Sequence, residues 1–248
     1  MPDIKDLKVK LFADGADLDT IKKAAQDPLI QGFTTNPTLM REANVQDYKA
    51  FALEVLQVVS DRPVSFEVLS DSFSEMEDQA FEIVSWGDNV YVKIPVTNTR
   101  GEFSGPLIHR LSTAGVQVNV TALMTLEQVT QVRDCLSEDT SSIISVFAGR
   151  IADSGRDPVP TMAQAVASLR AHPKAELLWA SPRELLNIFQ ADDVGCHIIT
   201  ATSGVLGKIP TVGRDLNVFS LDTVKMFRED AVRAGYTIEI SASATRPR

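Results

Sequence analysis

Cysteine is scarce in this chain, with two in 248 residues, Cys135 and Cys196. That excludes a disulfide framework and any zinc spacing, and a reducing cytosol (cytoplasmic localisation) is the expected compartment. Histidine is almost as thin: His109, His172 and His197 are scattered at spacings that suit no metal site. His197, beside Cys196, reads as a packed, hydrogen-bonded imidazole. No apolar run is long enough to span a membrane, and Met1-Pro2-Asp3-Ile4-Lys5 lacks a signal-peptide pattern. Positive charge is outnumbered, 24 Lys and Arg against 33 Asp and Glu, for a net charge of −9. This argues against a general nucleic-acid binder and leaves room for a local arginine cluster around a small anion. No Gly-x-Gly-x-x-Gly follows the first strand candidate, which removes the usual dinucleotide reading. No stretch rich in Pro, Gly or Ser divides the chain, so one domain over residues 1–248 is expected.

What is present is a regular alternation. Strand candidates fall at Val9–Ala13, Gly32–Thr35, Val64–Val68, Asn89–Pro95, Val116–Thr121, Ser142–Phe147, Glu176–Ala180 and Cys196–Thr200. Helix-like stretches lie between them at Leu18–Gln26, Val45–Ser60, Phe73–Ser85, Gly105–Thr113, Leu126–Leu136, Met162–Ala171 and Pro182–Gln190, with a short one at Thr202–Leu206. Thr125 and Ser181 stand as N-caps ahead of Leu126-Glu127 and Pro182-Arg183-Glu184. Eight strands alternating with helices predict right-handed crossovers and a parallel sheet, closed as a (β/α)8 TIM barrel of the α/β class. Asn217–Ile240 reads as an added C-terminal helical tail, and Ser241–Arg248 as a frayed end.

The run Asn89-Val90-Tyr91-Val92-Lys93-Ile94-Pro95-Val96 places a lysine inside a buried, β-branched strand. A lysine taken out of water loses the preference for its ammonium form and becomes an amine able to attack a carbonyl. The plain alternative is a lysine on an edge strand that reaches back to water. In a barrel, functional groups come from the C-terminal strand ends. Asp14 ends the first strand, Thr35 and Asn36 the second, and Glu67 sits late in the third. Asn119 and Thr121 end the fifth, Ser145 and Phe147 the sixth with Arg150 just after, and Ser181 and Arg183 follow the seventh. Period-two alternation puts Tyr91, Lys93 and Pro95 on the inner face, with Val92 and Ile94 facing the helices. Each residue also has a structural reading. Asp14-Gly15 suits a turn, Thr35-Asn36-Pro37 a turn with a cap, Ser181 an N-cap, Glu67 an ion pair with Lys93, and Arg150 a bridge to Asp153. Core strands do not ordinarily carry polar groups at matching ends, so the set as a whole points to a site.

A desolvated lysine at a barrel mouth condenses with a ketose carbonyl, and the imine serves as an electron sink for carbon–carbon cleavage. Glu67 and Thr121 are candidates to move protons and hold a water, and Asp14 to take the proton of the C4 hydroxyl. Asn36, Asn119 and Ser145 suit the hydroxyls of the retained fragment. Arg150 and Arg183, with Ser181 at a helix N-terminus, suit a phosphate.

The same residues resemble the transaldolases. The likeness runs from about Leu11 to Thr200 and rests on Phe33-Thr34-Thr35-Asn36-Pro37-Thr38, Val92-Lys93-Ile94-Pro95, Asn119-Val120-Thr121, Val146-Phe147-Ala148-Gly149-Arg150-Ile151 and Ala180-Ser181-Pro182-Arg183. The resemblance implies Lys93 as the Schiff-base lysine, Asp14 as the acid–base aspartate, and Glu67 with Thr121 as the pair that handles the water. It assigns Asn36, Asn119 and Ser145 to the ketose, and Arg150, Ser181 and Arg183 to the phosphate. It also implies a metal-free, cofactor-free transferase of sugar-phosphate metabolism (the pentose phosphate pathway), expected as a homo-oligomer. Glu67 and Phe147 match the transferase branch, where fructose 6-phosphate aldolases tend to carry Gln and Tyr. Val146 departs from the proline of many members. The expected reaction moves a dihydroxyacetone unit from fructose 6-phosphate or sedoheptulose 7-phosphate to an aldose phosphate. Alternatives are a transaldolase with an unusual acceptor, an aldolase releasing free dihydroxyacetone, and an idle binding barrel. The stretch Arg150–Arg156 reads as a loop able to cover the site.

Overall fold

The computed structural model describes residues 4–239. Its contacts divide the chain into two compact units, one within Pro2–Pro210 and one from Thr211 onward. The first holds eight parallel strands: β1 (Lys10–Asp14), β2 (Ile30–Thr34), β3 (Val64–Glu67), β4 (Val90–Pro95), β5 (Val118–Leu123), β6 (Ser142–Val146), β7 (Ala175–Trp179) and β8 (Ile198–Thr202). They follow one another in chain order around a closed barrel, and β8 pairs with β1.

The crossovers carry α1 (Leu18–Ala25), α2 (Pro37–Glu42), α3 (Tyr48–Val58), α4 (Phe73–Val84), α5 (Gly105–Thr113), α6 (Leu126–Arg133), α7 (Ala148–Asp153), α8 (Val159–Ser168), α9 (Leu186–Asp193) and α10 (Ser203–Leu206). Local chemistry starts several of them. Asp17, Asn36 and Asp47 accept the amides of Thr20, Leu39 and Ala50. Thr125 and Gln128 close a reciprocal capping box at α6.

Alternation divides the apolar strand residues between two cores. Val64, Phe66, Val92, Ile94, Val118, Val120, Ile144 and Leu177 belong to the core beneath the helices. Phe12, Ile143, Leu178, Ala180 and Ile198 form the barrel interior, with Tyr91 and Phe147 packed on them. Gly32 pairs with Phe12, and a Cβ there would fall 2.4 Å from the Phe12 ring, so a bare backbone makes room for it. On the inner face of β1, Lys10 and Asp14 flank Phe12. Lys10 pairs at 2.6 Å with Glu176 at the N-terminal end of the barrel, and Asp14 lies at the opposite end. The barrel is thus plugged at one end and polar at the other.

Strand order and number agree with the sequence reading, and three crossover details differ. The Val45–Ser60 stretch is helical only from Tyr48, where Asp47 caps α3, and an additional helix, α2, precedes it. The stretch from Arg150 to Arg156 is loop only from Ser154, because α7 runs through Asp153. The helix expected from Pro182 begins at Leu186, since Asn187 Oδ1 takes the amides of Arg183 and Glu184 and holds them as a turn. Ser181 is therefore not a helix N-cap.

In the second unit, α11 (Leu216–Arg233) covers most of the expected tail. Asp215 caps it by accepting the amides of Asn217 and Val218, and the Arg214 guanidinium lies 4.6 Å from the Phe219 ring centre. Ile240 and the stretch Ser241–Arg248 lie outside the described residues.

Candidate functional site

The polar end of the barrel opens into a cavity of about 460 Å³, in the range of small-ligand sites. Asp14, Asn36, Glu67, Lys93, Asn119, Thr121, Ser145, Phe147, Arg150, Ser181 and Arg183 all line it. These eleven sequence-assigned site residues are thus brought to one cavity, whereas Thr35, also named at a strand end, does not line it.

Lys93 is 6% exposed, so it is not an edge lysine reaching for water. Its Nζ donates to the Thr35 carbonyl at 2.7 Å and lies 3.0 Å from Glu67 Oε2. The register sets the second contact, since Glu67 and Lys93 are direct partners between β3 and β4. The ion pair that the structural reading of Glu67 expected is therefore present.

Asp14 accepts a hydrogen bond from Thr34 Oγ1 at 2.8 Å, and Thr34 is 2.6 Å from Thr200 Oγ1. Burial holds the Asp14 carboxyl above the ordinary aspartate range. The positive charge of Lys93 and the Thr34 hydroxyl pull the other way, and the negative charge of Glu67 adds to the rise. A carboxylate shifted upward is a better proton acceptor near neutrality.

Asn119 pairs with Lys93 across β4 and β5. It donates to Ser65 Oγ at 3.1 Å and accepts from Ser145 Oγ at 2.7 Å. This line of polar groups orients the amide at the cavity floor. The β5–β6 register shifts between Val120 and Leu123, with Ala122 at φ 68°. Beside that irregularity Thr121 Oγ1 is buried without a hydrogen-bond partner among the described residues. A buried hydroxyl left open in a polar cavity is suited to a water or a substrate group.

Arg150 and Arg183 stand exposed at the rim. Asp153 is bound by Arg183, through Nε at 3.0 Å and also through an Nη, rather than by Arg150. That bond, more than the neighbouring charges, holds the Asp153 carboxyl below the usual range. Ser181 adopts φ 57°, and its carbonyl faces Gly149 so closely that a Cβ there would lie 1.5 Å from the oxygen. Gly149 N–H in turn donates to the Ala180 carbonyl at 3.2 Å. The seventh strand end and the start of α7 are thereby pinned together at the arginine rim.

The sequence reading missed Thr34, Thr200 and Ser65. Period-two counting back from Asn36 would have selected Thr34 rather than Thr35. Counting back from Glu67 would have selected Ser65. Thr200 ends the one strand candidate, Cys196–Thr200, to which no polar site residue was assigned.

A family model described as transaldolase/fructose-6-phosphate aldolase matches residues 11–244. The chain belongs to this family. A probable transaldolase of Nitrosopumilus maritimus is 32% identical over 205 residues, 81% of this chain and 87% of that protein. A probable transaldolase of Dehalococcoides mccartyi is 31% identical over 199 residues, 80% of this chain and 88% of the other. Among solved structures, a putative dihydrodipicolinate synthase family protein from Coccidioides immitis superposes with a TM-score of 0.59 at 11% identity, covering 94% of this chain and 80% of that one. At that identity the likeness is one of fold.

His197 and Cys196 lie outside the cavity lining. His197 Nδ1 accepts the Leu177 amide at 3.0 Å, and burial keeps the imidazole below its ordinary pKa. Burial pushes the Cys196 thiol up to about 12. Among the described residues no three His, Cys, Asp or Glu side chains gather into a metal-holding group, and no helix is long and apolar enough to cross a membrane.

Proposed function

We propose that this member of the family is a transaldolase that works through an imine on Lys93. The observation that carries the reading is a buried lysine, 6% exposed, held between a carbonyl and a carboxylate at the floor of a cavity that also presents Asp14.

Lys93 Nζ attacks the C2 carbonyl of a ketose phosphate, and loss of water gives the protonated imine. Glu67, at 3.0 Å from Nζ, moves the protons of that step, and the open Thr121 hydroxyl holds the water. Asp14 takes the C4 hydroxyl proton. The C3–C4 electron pair passes into the imine to give an enamine, and an aldose phosphate leaves. The enamine then attacks the aldehyde of an acceptor, Asp14 returns its proton, and water releases the lengthened ketose. Asn36, Asn119 and Ser145 hold the hydroxyls of the three-carbon unit, Phe147 forms an apolar wall, and Arg150, Ser181 and Arg183 receive the phosphate. Fructose 6-phosphate or sedoheptulose 7-phosphate as donor and erythrose 4-phosphate as acceptor fit the rim charge. The carboxylate at 67 and the phenyl ring at 147 favour transfer over release of free dihydroxyacetone. The two probable transaldolases reported above support the same activity class.

The test is intact mass after borohydride treatment with fructose 6-phosphate, with peptide mapping. A three-carbon adduct on Lys93 is expected. No adduct would remove the imine mechanism. Free dihydroxyacetone accumulating without acceptor would place the protein with the aldolases instead.

A further inference from the structure

The seam between β2 and β3 is one rung short, and a side chain occupies the gap. Thr35 N–H donates to the Ser65 carbonyl at 3.2 Å. In a regular parallel ladder the next rung would run from the Glu67 N–H to the Thr35 carbonyl. That rung is absent. The Glu67 N–H donates instead to the Tyr48 hydroxyl oxygen at 2.7 Å, and the same hydroxyl donates to the Glu67 carbonyl at 2.9 Å. The Thr35 carbonyl, freed from the ladder, accepts from Lys93 Nζ at 2.7 Å.

We propose that Tyr48 is a positioning residue for the Lys93–Glu67 pair: its hydroxyl replaces the last rung of the β2–β3 ladder, fixing the Glu67 backbone and leaving the Thr35 carbonyl to seat the lysine. The inference rests on the reading of Lys93 as nucleophile. It goes further by assigning a role to a residue on α3, outside the cavity lining.

The rest of the Tyr48 environment fits a fixed bracket. Asp47 caps α3 one residue earlier. The Tyr48 ring meets Phe66 and Trp86 edge to face, with centroids 6.3 and 5.6 Å away. Trp86 is itself held by a hydrogen bond from Nε1 to Glu82 at 3.0 Å. Burial raises the phenol well above its ordinary pKa, so it keeps the proton that lets one hydroxyl donate and accept together.

Without the hydroxyl, the Glu67 N–H and carbonyl lose their partner. The nearest repair is to close the missing rung. The Thr35 carbonyl would then turn to Glu67 and away from Lys93, and the Glu67 carboxylate would move with its backbone. The groups facing the pair are the Asp14 carboxylate from β1 and the Asn119 amide from β5, and neither replaces a carbonyl at the lysine.

Tyr48→Phe tests this, since it keeps the ring contacts and removes only the hydroxyl. The expected result is a fall in kcat of about 10- to 100-fold and a displaced pH profile of borohydride trapping, with KM for fructose 6-phosphate within about threefold of wild type. Trp86→Phe is the control. It loosens the same packing while retaining the hydroxyl, and should lower Tm without moving the pH profile. A Tyr48→Phe protein with kcat within about twofold and an unmoved profile would overturn the proposal, whatever its Tm. If that variant does not fold, 3-fluorotyrosine placed at position 48 keeps ring and hydroxyl but weakens the oxygen as an acceptor. A displaced profile then supports the proposal and an identical one overturns it. Failure of wild-type protein to trap any three-carbon adduct is a separate outcome: it removes the nucleophile reading, and the role of Tyr48 with it.

Discussion

Glu67 Oε2 stands 3.0 Å from Lys93 Nζ, and the two residues are direct partners in the β3–β4 register. Each charge offsets the burial of the other, and removing either leaves its partner without this counter-charge. Glu67→Gln keeps the shape and takes away the proton acceptor. It should slow imine formation by about 100- to 10,000-fold, with little change in KM, as read by the rate of borohydride trapping in single turnover. Lys93→Met should give no adduct at all while the circular dichroism of the barrel is retained. A trapping rate unchanged in Glu67→Gln would leave the carboxylate as a counter-charge only.

Asp14 supplies a pH prediction whose sign follows from its surroundings. Burial raises its folded-state pKa above the ordinary 3.8. The folded protein therefore holds this proton more tightly than the unfolded chain does. The resulting stabilisation is complete below pH 3.8 and is lost as pH rises through the raised value. At neutral pH the ionised carboxylate is a net cost, with Lys93 and Thr34 recovering part of it. Asp14→Asn should thus be more stable than wild type at pH 7 by about 0.5–2 kcal/mol. That advantage should shrink on acidification toward the ordinary aspartate value, while kcat falls by about 100- to 10,000-fold. Urea titrations at several pH values read the first effect. A variant less stable than wild type at pH 7 would mean that Lys93 attraction outweighs burial.

At the rim, the Arg183 guanidinium is engaged by Asp153 through two nitrogens. A phosphate arriving there competes with a solvent-exposed carboxylate, whose hold is weak and screened by salt. Arg183→Ala should raise KM for fructose 6-phosphate by roughly tenfold with kcat at saturation nearly unchanged. Asp153→Asn should leave KM equal or lower it, because it frees the guanidinium. Initial rates against substrate at two ionic strengths check both, and a higher KM in Asp153→Asn would make the carboxylate a necessary orienting group.

The legible part of this site was the part set by strand periodicity. Parallel register carries a polar residue at each strand end to one mouth, so Lys93, Glu67, Asn119 and Asp14 could be found by counting in twos. What escaped depends on contacts between distant segments. Ser181-Pro182 has the local chemistry of a helix start, yet Asn187 captures the next two amides and delays α9 to Leu186. The stretch from Arg150 reads as a loop because a six-residue helix with an internal glycine, as α7 is, has little intrinsic stability. The helix forms where Gly149 packs on the Ser181 carbonyl. Tyr48 carried no signal at all, because its role arises only where β2 and β3 part.

Gly149 makes the second of these dependencies testable. A Cβ there would fall 1.5 Å from the Ser181 oxygen, a backbone atom that cannot swing aside as a side-chain tip can. Gly149→Ala must therefore push the β7 strand end away from α7. Ser181, already at φ 57°, has little conformational freedom to absorb the move. The expected cost is about 1–3 kcal/mol of stability, as for other overpacked sites. KM for phosphorylated substrates should rise together with it, because Ser181 and Arg183 shift relative to Arg150. Trapping of Lys93 by unphosphorylated dihydroxyacetone should be retained, since the lysine lies on β4, away from that junction. Chemical denaturation, KM for fructose 6-phosphate and dihydroxyacetone trapping measured on the same preparation separate these effects. Loss of stability with an unchanged KM would show that the β7 strand end positions no part of the phosphate site.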